Sequence, residues 1–135
     1  MVHETNLFEV QVYGLIVNKH KEVLFVESAS GLRKFMFPGG TLEPNESVLD
    51  CLKREIKEET NLRIKIIKPI YADTIYSKKV PQLGLIYFCT APRGHLLLSK
   101  EHSAYEWANL QNLNALELAH PQLKKIAKIY LMMNR

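Results

Sequence analysis

Glu55, Glu58 and Glu59 lie within one turn and a half of a segment that otherwise reads as a helix with one apolar side. Wound at about 100° per residue, Val48, Leu49, Cys51, Leu52 and Ile56 share one face, while Asp50, Lys53, Arg54 and Lys57 take the other. Glu59 then projects near the middle of the apolar sector, Glu55 beside it and Glu58 on its edge, because positions i, i+3 and i+4 share a face. An ionised carboxylate buried without a partner costs several kcal/mol, and three together repel one another. Hard divalent cations such as Mg²⁺ or Mn²⁺ would satisfy all three and would also grip phosphate oxygens. An ion held there would neutralise the nonbridging oxygens of a phosphate brought to it and make a bound water more acidic. The plainer alternative, solvated glutamates paired with lysines four residues away, fits poorly, since the basic residues hold the opposite face.

A short loop and one helix must position these acids. Ser47 is a good N-cap with Asp50 three residues on, Pro44 and Asn45 mark the turn before it, and the helix is predicted from about Val48 to about Thr60. Upstream, Phe37-Pro38-Gly39-Gly40 delivers a glycine pair, which lets backbone approach where side chains would obstruct.

The spacing of Gly40, Glu46, Arg54, Glu55, Ile56, Glu58, Glu59 and Leu62 resembles the Nudix box, G-x5-E-x7-R-E-U-x-E-E-x-G-U, with U aliphatic. All six other fixed letters match, and both aliphatic positions are filled. The late glycine is replaced by Asn61, a residue that tolerates the left-handed conformation at a helix end better than most. The resemblance implies an α/β fold, a Nudix α/β/α sandwich with a mixed central sheet. It implies Mg²⁺ or Mn²⁺ on Glu55, Glu58 and Glu59, with a loop carbonyl from Gly39, or else Gly40, as a further ligand. Glu46 and Arg54 would brace the loop against the helix. The catalytic candidates are Glu55, Glu58 and Glu101; Glu55 or Glu101 would take the proton, and Glu101 precedes Trp107 by six residues, as a further glutamate does in some members.

The rest of the chain is read as scaffold. Phe8 to Val17 and Glu22 to Glu27 are predicted strands joined by a turn as an antiparallel hairpin. Arg63 to Tyr76 is a long extended segment whose Pro69 suggests an edge or a bulge. Leu83 to Cys89 has the near-continuous apolar run of a strand crossing the middle of a sheet, and His95 to Leu98 reads as a short strand. Pro121 to Met133 is an amphipathic helix with Leu123, Ile126, Ala127 and Tyr130 on one face and a Met pair assigned to core filling. Residues 1–135 are expected to form a single domain.

Length and composition agree. With 135 residues, 47% of them hydrophobic and 24% charged, the chain can bury a core without disulfides. Cys51 and Cys89 are read as buried free thiols, which together with an N-terminus lacking a signal-peptide pattern gives a cytoplasmic expectation. No run is long enough to cross a bilayer. A net charge of +4 raises nucleic acid as a partner, but the basic residues look scattered, without interleaved aromatics.

The expected partner is a nucleotide or another nucleoside diphosphate derivative. Arg33, Lys34, Tyr76 and Tyr105 are the candidate contacts, with Phe35, Lys78, Lys79 and His102 weighed beside them. The run Leu98 to Trp107 resembles diadenosine tetraphosphate hydrolases of the family, whereas Phe37 to Gly40 resembles its MutT-like triphosphate pyrophosphohydrolases. Ala119 or His120 falls where MutT proteins place an asparagine that reads oxidised guanine, which argues against that base. The alternative function is a silent nucleotide-sensing or regulatory domain. Such domains commonly lose box acids, and all the acids are present here.

Overall fold

A computed structural model describes residues 7–27, 34–76, 80–93, 96–97 and 104–133. Seven strands form one mixed sheet: β1 (Glu9–Val17), β2 (Val23–Glu27), β3 (Phe35–Met36), β4 (Gly39–Thr41), β5 (Arg63–Tyr76), β6 (Pro81–Arg93) and β7 (Tyr105–Ala108). Helix α1 (Val48–Thr60) packs on one face and α2 (Pro121–Met133) on the other. The main path runs β3-β2-β1-β6-β5, with β4 added to β1 and β7 to β2. Among the named strands β1 and β6 pair in parallel and the other pairs are antiparallel, so the sheet is mixed as expected.

Alternation along β1 feeds both cores. Val12 and Ile16 join Cys51, Leu52 and Ile56 of α1, while Leu15 joins Leu123, Ile126 and Ala127 of α2. Cys51, Leu52 and Ile56 are wholly buried, and full burial of each aliphatic side chain is worth about 2 kcal/mol. Leu49, placed on this face by the helical wheel, is instead 44% exposed, because the sheet reaches only part of the sector. Both cysteines are free and buried.

The hairpin forks. Asn18 accepts from the backbone of His20 and Glu22 through its side chain and ties the turn, but β1 pairs with β2 only at Val17↔Val23. Beyond that point the strands part, Gly14 donates to the Pro38 carbonyl at 2.9 Å, and β4 takes the vacated edge of β1 from Gln11 to Tyr13. This fork carries the glycine pair under α1.

β5 is the outer strand, and register shifts fall on both sides of Pro69, so the edge and bulge readings of that proline both hold. β6 lies between β1 and β5 and is longer than its apolar run suggested. Leu96 and Leu97, half of a predicted short strand, are not in a strand; Leu97 donates to the Thr60 carbonyl at 2.9 Å. β7 had no separate strand signal, and its Trp107 packs partly buried against the α1 side. Met132, expected as core, is 51% exposed. Among the described residues, no helix is long and apolar enough to cross a membrane.

Both ends of α1 follow local chemistry. Ser47 accepts from the Asp50 N–H at 3.1 Å, and Asn61 ends the helix with φ 63°, donating to the Lys57 carbonyl at 2.9 Å. The Asn61 side chain also accepts from Lys57 Nζ at 2.7 Å. Replacing Asn61 by Ala should cost about 1 kcal/mol in urea unfolding, from left-handed strain. Asn61→Gly should stay within about 0.5 kcal/mol of the native chain.

Candidate active site

The glycine pair is fixed by what surrounds it. Gly39 has φ 154°, and a side chain there would run into the Val12 carbonyl and the Tyr13 ring. Its N–H donates to Glu59 Oε2 at 3.0 Å, so the loop backbone satisfies the most buried acid of α1. At Gly40 a Cβ would land on the Glu55 carboxyl group, 2.7 Å from Oε1. Two glycines therefore close against two glutamates.

Arg54 gathers the remaining charge. It makes a two-pronged bond to Glu46, Nε to Oε2 at 3.0 Å and Nη2 to Oε1 at 2.8 Å. Nη1 donates to Glu55 Oε1 at 2.9 Å and reaches Glu58 Oε2 at 3.4 Å, while Nη2 also reaches the Thr41 carbonyl at 3.4 Å. Glu46 accepts the Glu43 N–H as well, and the hydrogen bonds from Arg54 and from that amide pull its carboxyl down to about 2. Arg54 is held protonated still more firmly than usual by the same partners. Beneath them the Cys51 thiol is pushed up to about 12, by burial first and then by Glu46, which leaves it inert.

The three acids sit at graded depth. Glu59 is 7% exposed, the Glu55 side chain 17% and the Glu58 side chain 61%, so Glu58, at the edge of the apolar sector on the helical wheel, stands at the rim. Burial raises the Glu55 carboxyl above its ordinary value; Arg54 opposes this, and the Glu59 and Glu58 charges add to it. Among the described residues no three acidic, histidine or cysteine side chains already close around one point. Arg54 takes the place of a cation between Glu55 and Glu58. The donors nevertheless fit a hard divalent ion: three carboxylates at i, i+3 and i+4 offer oxygen only, and their mutual repulsion at Glu55 is what a cation would relieve.

On the α2 side of the sheet, beyond the glycine loop, a cleft of about 380 Å³ opens. Its walls include Tyr13, Met36, Phe37, Tyr71, Leu123 and Ile126, with polar groups from Asp73, Gln82, His120 and Gln122. Phe37 is anchored by stacking on Phe25 at 5.2 Å. Of the expected substrate contacts, Lys34 and Tyr105 do not line this cleft; Lys34 precedes β3, and Tyr105 pairs with Val26 in β7. Phe35 is also absent from its walls, and it packs into the α2-side core. Arg33, Glu101, His102, Lys78 and Lys79 lie outside the described residues, as does the Tyr76 side chain. Tyr13, Tyr71, Asp73 and Gln82 were not singled out in the sequence. Their only signal was a polar or aromatic residue at every second position of otherwise apolar strands, which marks a face and not a site.

A sequence model of the NUDIX domain matches residues 7–129, and the chain belongs to that family. It is 28% identical over 120 residues to an ADP-ribose pyrophosphatase of Methanocaldococcus jannaschii, covering 86% of this chain and 69% of that protein. It is 27% identical over 100 residues to the asymmetrical bis(5'-nucleosyl)-tetraphosphatase of Mus musculus, covering 70% and 68%. The crystal structure of a MutT protein from Methanosarcina mazei Go1 superposes with a TM-score of 0.80 at 21% identity, covering 98% of this chain and 99% of that one.

Glu46 allows a test of the hub. Its carboxyl lies well below the ordinary 4.5 in the folded chain, so its ionised form favours folding. That contribution is complete above about pH 4.5 and is lost as pH falls toward about 2. The stability advantage of the native chain over Glu46→Gln, followed by urea unfolding across this window, should therefore shrink steadily with acid; a constant difference would remove the ion pair as its cause.

Proposed function

We propose that this Nudix pyrophosphohydrolase cleaves a phosphoanhydride in a nucleoside diphosphate joined to another group, a nucleoside triphosphate or dinucleoside polyphosphate foremost. The observation that carries the reading is adjacency: Glu59 accepts from the Gly39 N–H, and Tyr13, paired with Gly39 across β1 and β4, lines the aromatic cleft. The cleft is large enough for a base and part of its sugar, which would leave the phosphates to the acids.

Nudix hydrolases use divalent metal ions, and Glu55, Glu58 and Glu59 would hold Mg²⁺ or Mn²⁺ here, with the carbonyl of Gly39 or Gly40. When bound, such an ion neutralises nonbridging phosphate oxygens and makes water more acidic. Gly39 keeps Glu59 in place through its N–H, and Gly40 leaves the Glu55 carboxyl room against the loop. Arg54 keeps Glu46 and the loop tied to α1 while Glu55 and Glu58 engage elsewhere. Water attacks phosphorus as the bridging P–O bond to the leaving phosphate breaks, and an oxygen of Glu55 takes the water's proton. Glu101 is the other acid proposed for that step.

The relatives' names, an ADP-ribose pyrophosphatase and a bis(5'-nucleosyl)-tetraphosphatase, differ in the group beyond the diphosphate, which supports the shared part of the substrate and leaves that group to assay. Two buried free thiols suit a reducing cytoplasm.

A panel of nucleoside triphosphates, dinucleoside polyphosphates, ADP-ribose and nucleotide sugars, each with Mg²⁺ and with Mn²⁺, tests the proposal. Turnover of at least one is expected, lost with a chelator; silence throughout would favour a sensing domain. Glu58→Gln should lower kcat by about 10²-fold or more with little change in melting temperature, because this exposed side chain holds no core together.

A further inference from the structure

Tyr13 belongs to two places at once. Its side chain lines the cleft, and its Cα pairs with Gly39 in the β1–β4 ladder. Its ring carbon Cδ1 lies 2.9 Å from where a Gly39 Cβ would be, and the Gly39 N–H holds Glu59 at 3.0 Å. The other polar residues of the cleft come from β5, β6 and the start of α2, whereas Met36 and Phe37, its neighbours on the loop side, are apolar. Among the described residues lining the cleft, Tyr13 is the polar one that pairs directly with the glycine loop.

That tip is unspent. The Tyr13 side chain is half-buried on the cleft wall, and among the described residues its hydroxyl forms no hydrogen bond. The charges it feels are those of Glu59 and Glu9, both acids. A lysine here would be neutralised by them, whereas a neutral O–H can turn toward an anionic ligand.

We propose that Tyr13 is a substrate-binding residue whose phenolic O–H donates to the phosphate nearest the nucleoside, fixing the point at which the chain of phosphates leaves the cleft for the acids. This rests on the function proposed above, since it requires a nucleoside diphosphate derivative to lie across the Tyr13–Gly39 wall.

Tyr13→Phe keeps the ring and removes the hydroxyl. The measurement is calorimetric affinity for methylene-bridged, non-hydrolysable analogues of ATP, GTP and ADP-ribose with Mg²⁺, beside KM and kcat for a hydrolysed substrate and the melting temperature. The native chain should bind at least one analogue, and the variant should bind it about tenfold more weakly, the usual worth of a hydrogen bond to a charged group. KM should rise in step, with kcat within about twofold and melting unchanged. Equal affinities overturn the inference even if hydrolysis is normal, as does a weakened variant whose melting temperature falls by more than about 5 °C, which would assign a packing role. Binding without turnover, with the tenfold difference intact, would sustain the inference while removing hydrolysis. No binding by the native chain would overturn both.

Discussion

The structure depends on keeping negative charge at the border of an apolar core. Four glutamates, Glu46, Glu55, Glu58 and Glu59, converge on one side of α1, and left alone they would repel one another and the core beneath. Two arrangements prevent this. Arg54 places a single guanidinium among Glu46, Glu55 and Glu58, and the Gly39 amide meets Glu59 at a position where a side chain on residue 39 would strike β1. Division of labour follows from geometry: a fork with five donors can serve several carboxylates at a partly open rim, whereas the deepest acid needs a partner that brings no bulk.

Both arrangements require the sheet to open. If β1 and β2 stayed paired along their length, no edge would be left for β4, and the glycine pair could not reach under α1. The early parting of the hairpin thus trades a few ladder bonds for a loop seated between helix and sheet. The same opening lets Phe37 stack on Phe25 and forms one wall of the cleft, so acids and cleft are two consequences of one fork.

What could be read from the sequence was what is local. Helix α1, its Ser47 cap, the left-handed Asn61 and the bulged edge at Pro69 each follow from residues within a few positions of one another. The insertion of β4 beside β1 and the pairing of β7 with β2 join segments about 27 and 80 residues apart, and no period in the sequence encodes such partners. The helical wheel gave the direction of Leu49 but not how far the sheet extends beneath it, so Leu49 was assigned to a face that ends short of it, while Glu58, placed at the edge, stands at the rim. The cleft was the least legible part. Its residues come from β1, β3, the loop after it, β5, β6 and α2, and each alone is an ordinary strand or helix residue.

This contrast bears on how proteins of one family come to carry different names. The acids and Arg54 lie on one helix and its loop, whose mutual contacts leave little freedom: a side chain at Gly40 strikes Glu55, and one at Gly39 strikes β1. The cleft wall is under no such constraint. Asp73, Gln82, His120 and Gln122 hold positions on strand faces and at a helix start, where a different residue would disturb neither core. Chemistry that acts on a diphosphate can therefore stay fixed while the wall that meets the rest of the molecule changes. Tyr13 sits at the join: it is on the cleft wall, yet its ring backs Gly39, so it can change less freely than its neighbours. With the function proposed above, a residue so placed would meet the ligand where the nucleoside joins its diphosphate.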